Sequence, residues 1–230
     1  MDFVGIEKLS LVDYEGKLTC TLFMAGCNFR CPFCHNASLV LQDYSINPIP
    51  FEEILSYLKN AKGKLEAVCI SGGEPTLMRD LKEKIRPIKD LGYLIKIDTN
   101  GTNPELLKEL YQEKLLDYVA LDVKNCEEAY PETIGHNYQP FANIQKSIAF
   151  LMNSGIEYEF RTTLVQEFHS RKKIDALGKM IKGAKKLYLQ KFVDTGSTIK
   201  KGLNPIPLEE AKEYQKILEK YIQKVELRGY

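Results

Sequence analysis

The chain has 230 residues, 44% of them hydrophobic and 27% charged, with 15 glycines and 10 prolines; that is room for one large or two small domains, and far from a disordered composition. Its 32 basic and 31 acidic residues leave a net charge of +1, so no basic excess argues for nucleic acid. No run of about 18 apolar residues offers a membrane span, and the opening MDFVGIEKLS lacks the apolar core of a signal peptide. The composition therefore predicts a cytoplasmic protein with no nucleic-acid or membrane partner, in a compartment where structural disulfides rarely persist.

Residues 3–10 and 18–25 read as strands around the turn DYEGK, and LTCTLFMAG is apolar almost throughout, as a strand buried on both faces is. GCNFRCPFCHN follows directly as a loop. FEEILSYLKNA puts Phe51, Ile54, Leu55 and Leu58 on one helical face. LEAVCIS is a second buried strand ending in GGEPT. LMRDLKEKIRPIKDLG is helical, with a kink or break expected at Pro87. LIKIDT is a third strand, followed by NGTNP, where Pro104 suits the first turn of the helix PELLKELYQEK. DYVALDV is the fourth strand, and its long exit, residues 124–140 with Tyr130 and Tyr138, reads as a functional loop or as local aromatic packing. FANIQKSIAFLMNSG aligns Phe141, Ile144, Ile148 and Leu151 and ends at Gly155. IEYEFRTTLV is the fifth strand, KKIDALGKMIKGA a helix, KKLYLQKFV the sixth strand. A helix near 208–223 and the strand KVELRGY finish the chain.

Strand and helix alternate about six times, which predicts parallel strands with right-handed crossovers. A closed eight-unit barrel takes about 250 residues. The expected fold class is therefore α/β, a partial (β/α)6 TIM-like open barrel with an N-terminal hairpin extension. Chemistry in such folds gathers at the carboxyl ends of the strands. Every unusual loop lies at such an end: GCNFRCPFCHN, SGGEPT, DTNG, DVKNC, and Arg161 with Thr162 and Thr163. These segments are expected to converge on one face.

Three of the six cysteines fall within eight positions, which favours a metal or cluster over crosslinks. Thiolates at 27, 31 and 34 suit three corners of an iron–sulfur cubane, although [4Fe–4S] clusters usually take four cysteines. A structural zinc site also wants four ligands, and His35 beside Cys34 is a candidate fourth. Reactive or structural thiols are the third reading. Cys20 and Cys69 lie within apolar strands and read as small hydrophobes. Cys126 reads as a loop thiol, and His136 and His169 as loop residues with no ligand partner. A cluster held by only three cysteines keeps one iron open, as a catalytic metal site requires.

Cys27–x3–Cys31–x2–Cys34, with Phe33 just before the last cysteine, resembles the signature loop of the radical S-adenosylmethionine (SAM) enzymes. The resemblance implies a [4Fe–4S] cluster on Cys27, Cys31 and Cys34, with SAM on the open iron. One electron passed to the sulfonium then yields methionine and a 5′-deoxyadenosyl radical, which abstracts hydrogen. By the same resemblance Gly72, Gly73 and Glu74 of SGGEPT meet the SAM amino group. Asp98, Thr99 and Asn100 of DTNG hold its ribose and methionine end, and Arg161 its carboxylate. Phe33 and His35 border the pocket, His35 near the adenine. Plainer readings stand beside these: a strand-ending turn with a solvated Glu for SGGEPT, an Asn-Gly turn for DTNG, and a structural ion pair for Arg161.

With LDVK and EFRTTLV added, the loops look most like those of the activases of glycyl radical enzymes. SLVDYEGKL and VELRGY point to the activating proteins of anaerobic ribonucleoside-triphosphate reductase, with Glu15 where that group carries proline. This resemblance implies hydrogen abstraction from a backbone glycine of a partner glycyl radical enzyme, most closely that reductase. The one-electron donor would be a flavodoxin or ferredoxin. It also implies Asp122 and Lys124 near the SAM methionine moiety, Asp13 near the partner's glycine loop, and a monovalent cation near Asp98 and Asp122, since paired carboxylates suit a hard cation. A strand-end ion pair is the plainer reading of Asp122 and Lys124. The resemblance implies one radical SAM domain over 1–230, with a core of about 18–195, a hairpin at 1–17 and a helix and strand at 205–230. A radical SAM enzyme acting on a small molecule is the alternative. A non-catalytic iron–sulfur or zinc-binding module is a third, and it leaves SGGEPT, DTNG and Arg161 without a shared purpose.

Overall fold

In the computed structural model, which describes residues 2–41, 47–136, 141–194 and 196–230, the chain opens with β1 (Phe3–Ser10) and β2 (Thr19–Met24). They pair antiparallel, Phe3 opposite Met24 and Ser10 opposite Thr19; this is the expected N-terminal hairpin. A short helix, α1 (Ala37–Val40), follows the cysteine segment, and α2 (Phe51–Asn60) buries Ile54 and Leu58. Next come β3 (Ala67–Gly72), α3 (Leu81–Asp90), β4 (Leu94–Thr99) and α4 (Pro104–Gln112). Asn103 caps α4 by accepting from the Leu106 N–H, and Pro104 takes the first turn, where no donor is needed.

β5 (Tyr118–Asp122) leads to a 3₁₀ turn at Glu127–Ala129 and α5 (Tyr130–Ile134). Then follow α6 (Phe141–Ser154), β6 (Glu157–Leu164), α7 (Arg171–Met180), β7 (Lys186–Lys191), α8 (Leu208–Leu218) and β8 (Lys224–Arg228). The eight strands form one sheet in chain order, β1 to β8. β2 with β3, β3 with β4, β6 with β7 and β7 with β8 pair parallel. An open sheet whose strands and helices alternate six times from β2 to α8 is the expected (β/α)6 arrangement.

Two expectations are corrected. Helix α3 is not broken at Pro87 but runs on to Asp90, because the carbonyl that Pro87 leaves without an N–H belongs to exposed Glu83, while Ile85 and Ile88 fill the core side. The stretch 124–140 is not a plain loop. Pro131 in the first turn of α5 and Gly135 in the left-handed conformation just past its end (φ 64°) punctuate a short helix. Tyr130 there is buried against Phe141, ring centroids 5.2 Å apart, which is the local-packing reading. Tyr138 lies outside the described residues.

By internal contact the chain divides into two compact units. One comprises Met1–Asn28, Ser38–Thr99 and Asn103–Ala120; the other comprises Phe29–Ala37, Asn100–Thr102 and Leu121–Tyr230. Each has its own core. Ala67, Val68, Cys69 and Ile70 of β3, with Leu81, Ile85 and Ile88 of α3, are fully buried in the first, and Phe160, Leu187, Leu189 and Phe192 in the second.

Candidate active site

The first unit carries Cys27 and the exits of β3 and β4. Gly73 donates its N–H to the Met24 carbonyl and Glu74 donates to the Gly26 carbonyl, each at 2.8 Å. The SGGEPT turn is therefore stitched to the residue just before Cys27. Glycine is required there. A Cβ on Gly72, whose φ is +113°, would fall 2.4 Å from the Met24 nitrogen, and one on Gly73 would fall 1.9 Å from the Gly26 oxygen. Glu74 is 1% exposed, not the solvated glutamate of the plainer reading. Its Oε1 accepts from the Thr76 N–H at 3.1 Å, Thr76 Oγ1 at 2.6 Å and Thr99 Oγ1 at 2.7 Å. A carboxylate so deep is tolerable only with such donors. At the β4 exit, Asp98 accepts from Ser71 Oγ at 3.1 Å and from Lys96 Nζ at 2.8 Å.

The second unit carries Phe29–Ala37, so Cys31, Phe33, Cys34 and His35 belong to it. The Cys34 N–H donates to the Cys31 carbonyl at 3.0 Å, closing a four-residue turn with Pro32 at its second position. The Arg30 N–H donates to the Ile134 carbonyl at 2.9 Å, and the Lys200 N–H to the Pro32 carbonyl at 2.8 Å. Gly135 lies so close that a Cβ would fall 2.2 Å from the Arg30 oxygen. Buried Phe33 meets Phe168, centroids 5.7 Å apart. His35 is exposed, lies 5.5 Å from the Phe192 ring centroid, and pairs through Nε2 with the Val193 carbonyl at 2.6 Å. Asn100 Oδ1 accepts from the Thr102 N–H and Oγ1 at 3.1 and 2.8 Å, a local turn.

Asp122 in this unit is held by two cations: Arg161 Nε donates to Oδ1 and Lys124 Nζ to Oδ2, both at 2.8 Å. Burial alone would raise the Asp122 carboxyl, but Arg161 and Lys124 outweigh it and hold it below the usual carboxylate range. Burial would likewise lower the Lys124 ammonium, and Asp122 reverses that. This is the ion pair of the plainer readings, built as a triad. Burial pushes the Cys34 thiol up, while the Asn36 N–H, Lys124 and Arg30 pull it back.

His169, read from sequence as an unassigned loop residue, braces this triad. It is buried, with Nε2 3.1 Å from the Lys124 carbonyl and Nδ1 3.1 Å from both the nitrogen and the carbonyl oxygen of Val165. The Lys124 carbonyl has only lone pairs to offer, so Nε2 is the protonated nitrogen and Nδ1 accepts. Burial lowers its pKa. Below about pH 6.5 the unfolded chain takes a proton on this imidazole that the folded chain refuses, so stability falls by up to about 1.4 kcal/mol per pH unit. His169→Gln should flatten urea-unfolding stability between pH 6.5 and 5 relative to the wild type. An unchanged slope would assign the proton uptake elsewhere.

All six cysteines are free of disulfides. Cys20 is fully buried, its thiol raised to about 12 by burial and by Glu7; Cys69 and Cys126 are buried too. Among the described residues no three His, Cys, Asp or Glu side chains close round a single ion. A cubane makes no such demand, since each thiolate holds a different iron. The donor set fits the group: soft thiols at 27, 31 and 34 suit iron–sulfur ligation.

Residues 21–176 match the sequence profile described as the radical SAM superfamily. A Methanocaldococcus jannaschii protein provisionally named a glycyl-radical enzyme activating enzyme is 37% identical over 231 residues, 97% of this chain and 94% of its own. The solved structure of Streptococcus suis SuiB aligns with a TM-score of 0.69 at 18% identity, over 91% of this chain and 48% of SuiB, so the chain spans about half that protein. A domain of pyruvate-formate lyase-activating enzyme from Bacteroides vulgatus aligns with a TM-score of 0.58 at 16% identity, over 71% of this chain and 99% of that domain. At these identities the solved structures speak for the fold alone.

Proposed function

The chain belongs to the radical SAM superfamily, and from that premise we propose that it activates a glycyl radical enzyme. The observation that carries the reading is the near full-length likeness to an activating enzyme, 97% of one chain against 94% of the other. The finer assignment, anaerobic ribonucleoside-triphosphate reductase as partner, is supported by SLVDYEGKL and VELRGY at the two ends. We read the chain as one domain over 1–230, since the superfamily match runs through residues of both compact units. No helix among the described residues is long and apolar enough to cross a membrane, and the cytoplasm, with a flavodoxin or ferredoxin as electron donor, is the setting proposed.

When bound, the cluster and SAM supply one-electron cleavage of the sulfonium to methionine and a 5′-deoxyadenosyl radical that takes a hydrogen atom from the partner's glycine. The work of the chain is to hold and orient. Cys27, Cys31 and Cys34 are the thiolates for three irons. Glu74, fixed by Thr76 and Thr99, is the acceptor for an ammonium. Asp98, Thr99 and Asn100 hold the ribose and the methionine end, and His35, beside Phe192, faces the adenine. Arg161, whose Nε donates to Asp122, is proposed for the SAM carboxylate. Lys124 and Asp122 complete that triad. Fixed cations already engage the carboxylates near which a free monovalent cation was expected: Lys96 at Asp98, Lys124 and Arg161 at Asp122. The reading keeps the fixed ones.

The test is anaerobic reconstitution, reduction in the presence of SAM, and incubation with candidate reductase. A glycine-centred radical seen by electron paramagnetic resonance, with 5′-deoxyadenosine formed, is the expected outcome. A signal only with another glycyl radical enzyme would reassign the partner. No 5′-deoxyadenosine from protein with an intact reduced cluster would end the enzyme reading.

A further inference from the structure

Lys96 lies in β4 between the fully buried Ile95 and Ile97, and is itself only 3% exposed. An ammonium in such a place is unfavourable unless its partners are fixed, and here they are. Nζ donates to Asp98 Oδ1 at 2.8 Å and to the Asp13 carbonyl, and stands 5.9 Å from the Tyr118 ring centroid. The Lys-x-Asp spacing puts lysine and aspartate on one face of the strand. The other Asp98 oxygen accepts from Ser71 Oγ. Asp13 Oδ2 accepts from Thr21 Oγ1 at 2.6 Å, and Ser10 Oγ accepts from the Val12 and Asp13 N–H groups. One buried charge thus joins the turn between β1 and β2 to the carboxylate at the carboxyl end of β4, all within the first unit.

We propose that Lys96 is a positioning residue for the cofactor, the resident cation that holds the Asp98 carboxylate in place where a free cation would otherwise have to serve. This rests on the reading that Asp98 holds part of SAM. A lysine present only for stability would, when replaced by Met, destabilise the fold by leaving the Asp98 carboxylate buried without its partner, but would leave SAM affinity per folded chain unchanged. Lys96 touches Asp98 directly, so its removal should reach the ligand through that carboxylate. It should also loosen the Asp13 turn.

The probe is SAM itself, titrated calorimetrically into anaerobically reconstituted protein without reductant, so that binding is read without turnover. Lys96→Met should weaken binding at least about tenfold at unchanged iron content. Asp98→Asn should weaken it comparably, and the double variant should be no worse than the weaker single one, as coupled neighbours behave. Methylammonium chloride should restore binding to Lys96→Ala, with the bulky tetramethylammonium salt at equal ionic strength as the inactive control. The wild type should respond to neither. Wild-type binding by Lys96→Met, alongside loss in Asp98→Asn, would overturn the role of Lys96. Failure of methylammonium to restore folded Lys96→Ala would overturn the resident-cation role. Wild-type binding by Asp98→Asn would instead remove the underlying assignment of Asp98. If Lys96→Met does not fold, Lys96→Ala expressed and purified with methylammonium carries the same comparison.

Discussion

Replacing Cys31 by serine is expected to abolish SAM cleavage, by more than about a thousandfold, or ~4 kcal/mol of barrier, while the protein stays folded. The two halves of this expectation have separate physical grounds. A serine hydroxyl is a poor substitute for a soft thiolate on iron, so iron content should fall from the four per chain of a cubane. The turn that carries Cys31 is held by backbone bonds, Cys34 N–H to Cys31 carbonyl, Arg30 N–H to Ile134 carbonyl and Lys200 N–H to Pro32 carbonyl, none of which uses the sulfur. Cys69→Ser is the contrast. Cys69 is fully buried in β3, so burying a hydroxyl there should cost about 1–3 kcal/mol with cleavage per iron unchanged. Iron analysis, the cluster's visible absorbance and chromatographic 5′-deoxyadenosine assay check both variants. A Cys31→Ser protein that retains four irons and cleaves SAM would remove Cys31 from the ligand set.

The fold was legible because buried parallel strands and amphipathic helices write themselves in local pattern. The run Ala67–Ile70 is fully buried and reads so, and Phe141, Ile144, Ile148 and Leu151 line the buried side of α6 as their spacing requires. What was not legible depends on partners far away in the chain. LIKIDT reads only as a strand, and nothing in it shows that Lys96, besides Asp98, meets the carbonyl of Asp13, 83 positions earlier. His169 reads as a loop histidine until the carbonyl of Lys124, 45 positions away, is placed beside it. α5, at five residues, is too short to show a helical period, though Pro131 and Gly135 mark its ends. The demand for glycine at 72 and 73 was visible in SGGEPT. The backbone that presses on them, Met24 and Gly26 of the chain itself, was not.

That close approach fixes the second large effect. Gly73→Ala is expected to destabilise the protein by about 4 kcal/mol, in the range kept for overpacked or strained sites. The melting temperature should fall by roughly 10 °C for a chain of this size. The added methyl would stand 1.9 Å from the Gly26 oxygen and 2.6 Å from its carbonyl carbon. Both are backbone atoms, which cannot swing aside as a long side chain can. Relief means parting the β3 exit from the β2 exit, and that stretches the Gly73 N–H bond to Met24 and the Glu74 N–H bond to Gly26 together. Gly26 precedes Cys27, so iron uptake per folded chain should drop as well. Gly92→Ala is the control for backbone strain without a clash, since Gly92 has a positive φ, +94°, and a Cβ there meets nothing within 4 Å. Its cost should be only the left-handed penalty of about 1–2 kcal/mol, with full iron uptake. Thermal unfolding of the metal-free proteins under reducing anaerobic conditions, with iron measured per folded chain after reconstitution, separates the two. A Gly73→Ala protein that melts with Gly92→Ala and takes up full iron would mean that the two strand exits yield far more easily than their backbone contacts require.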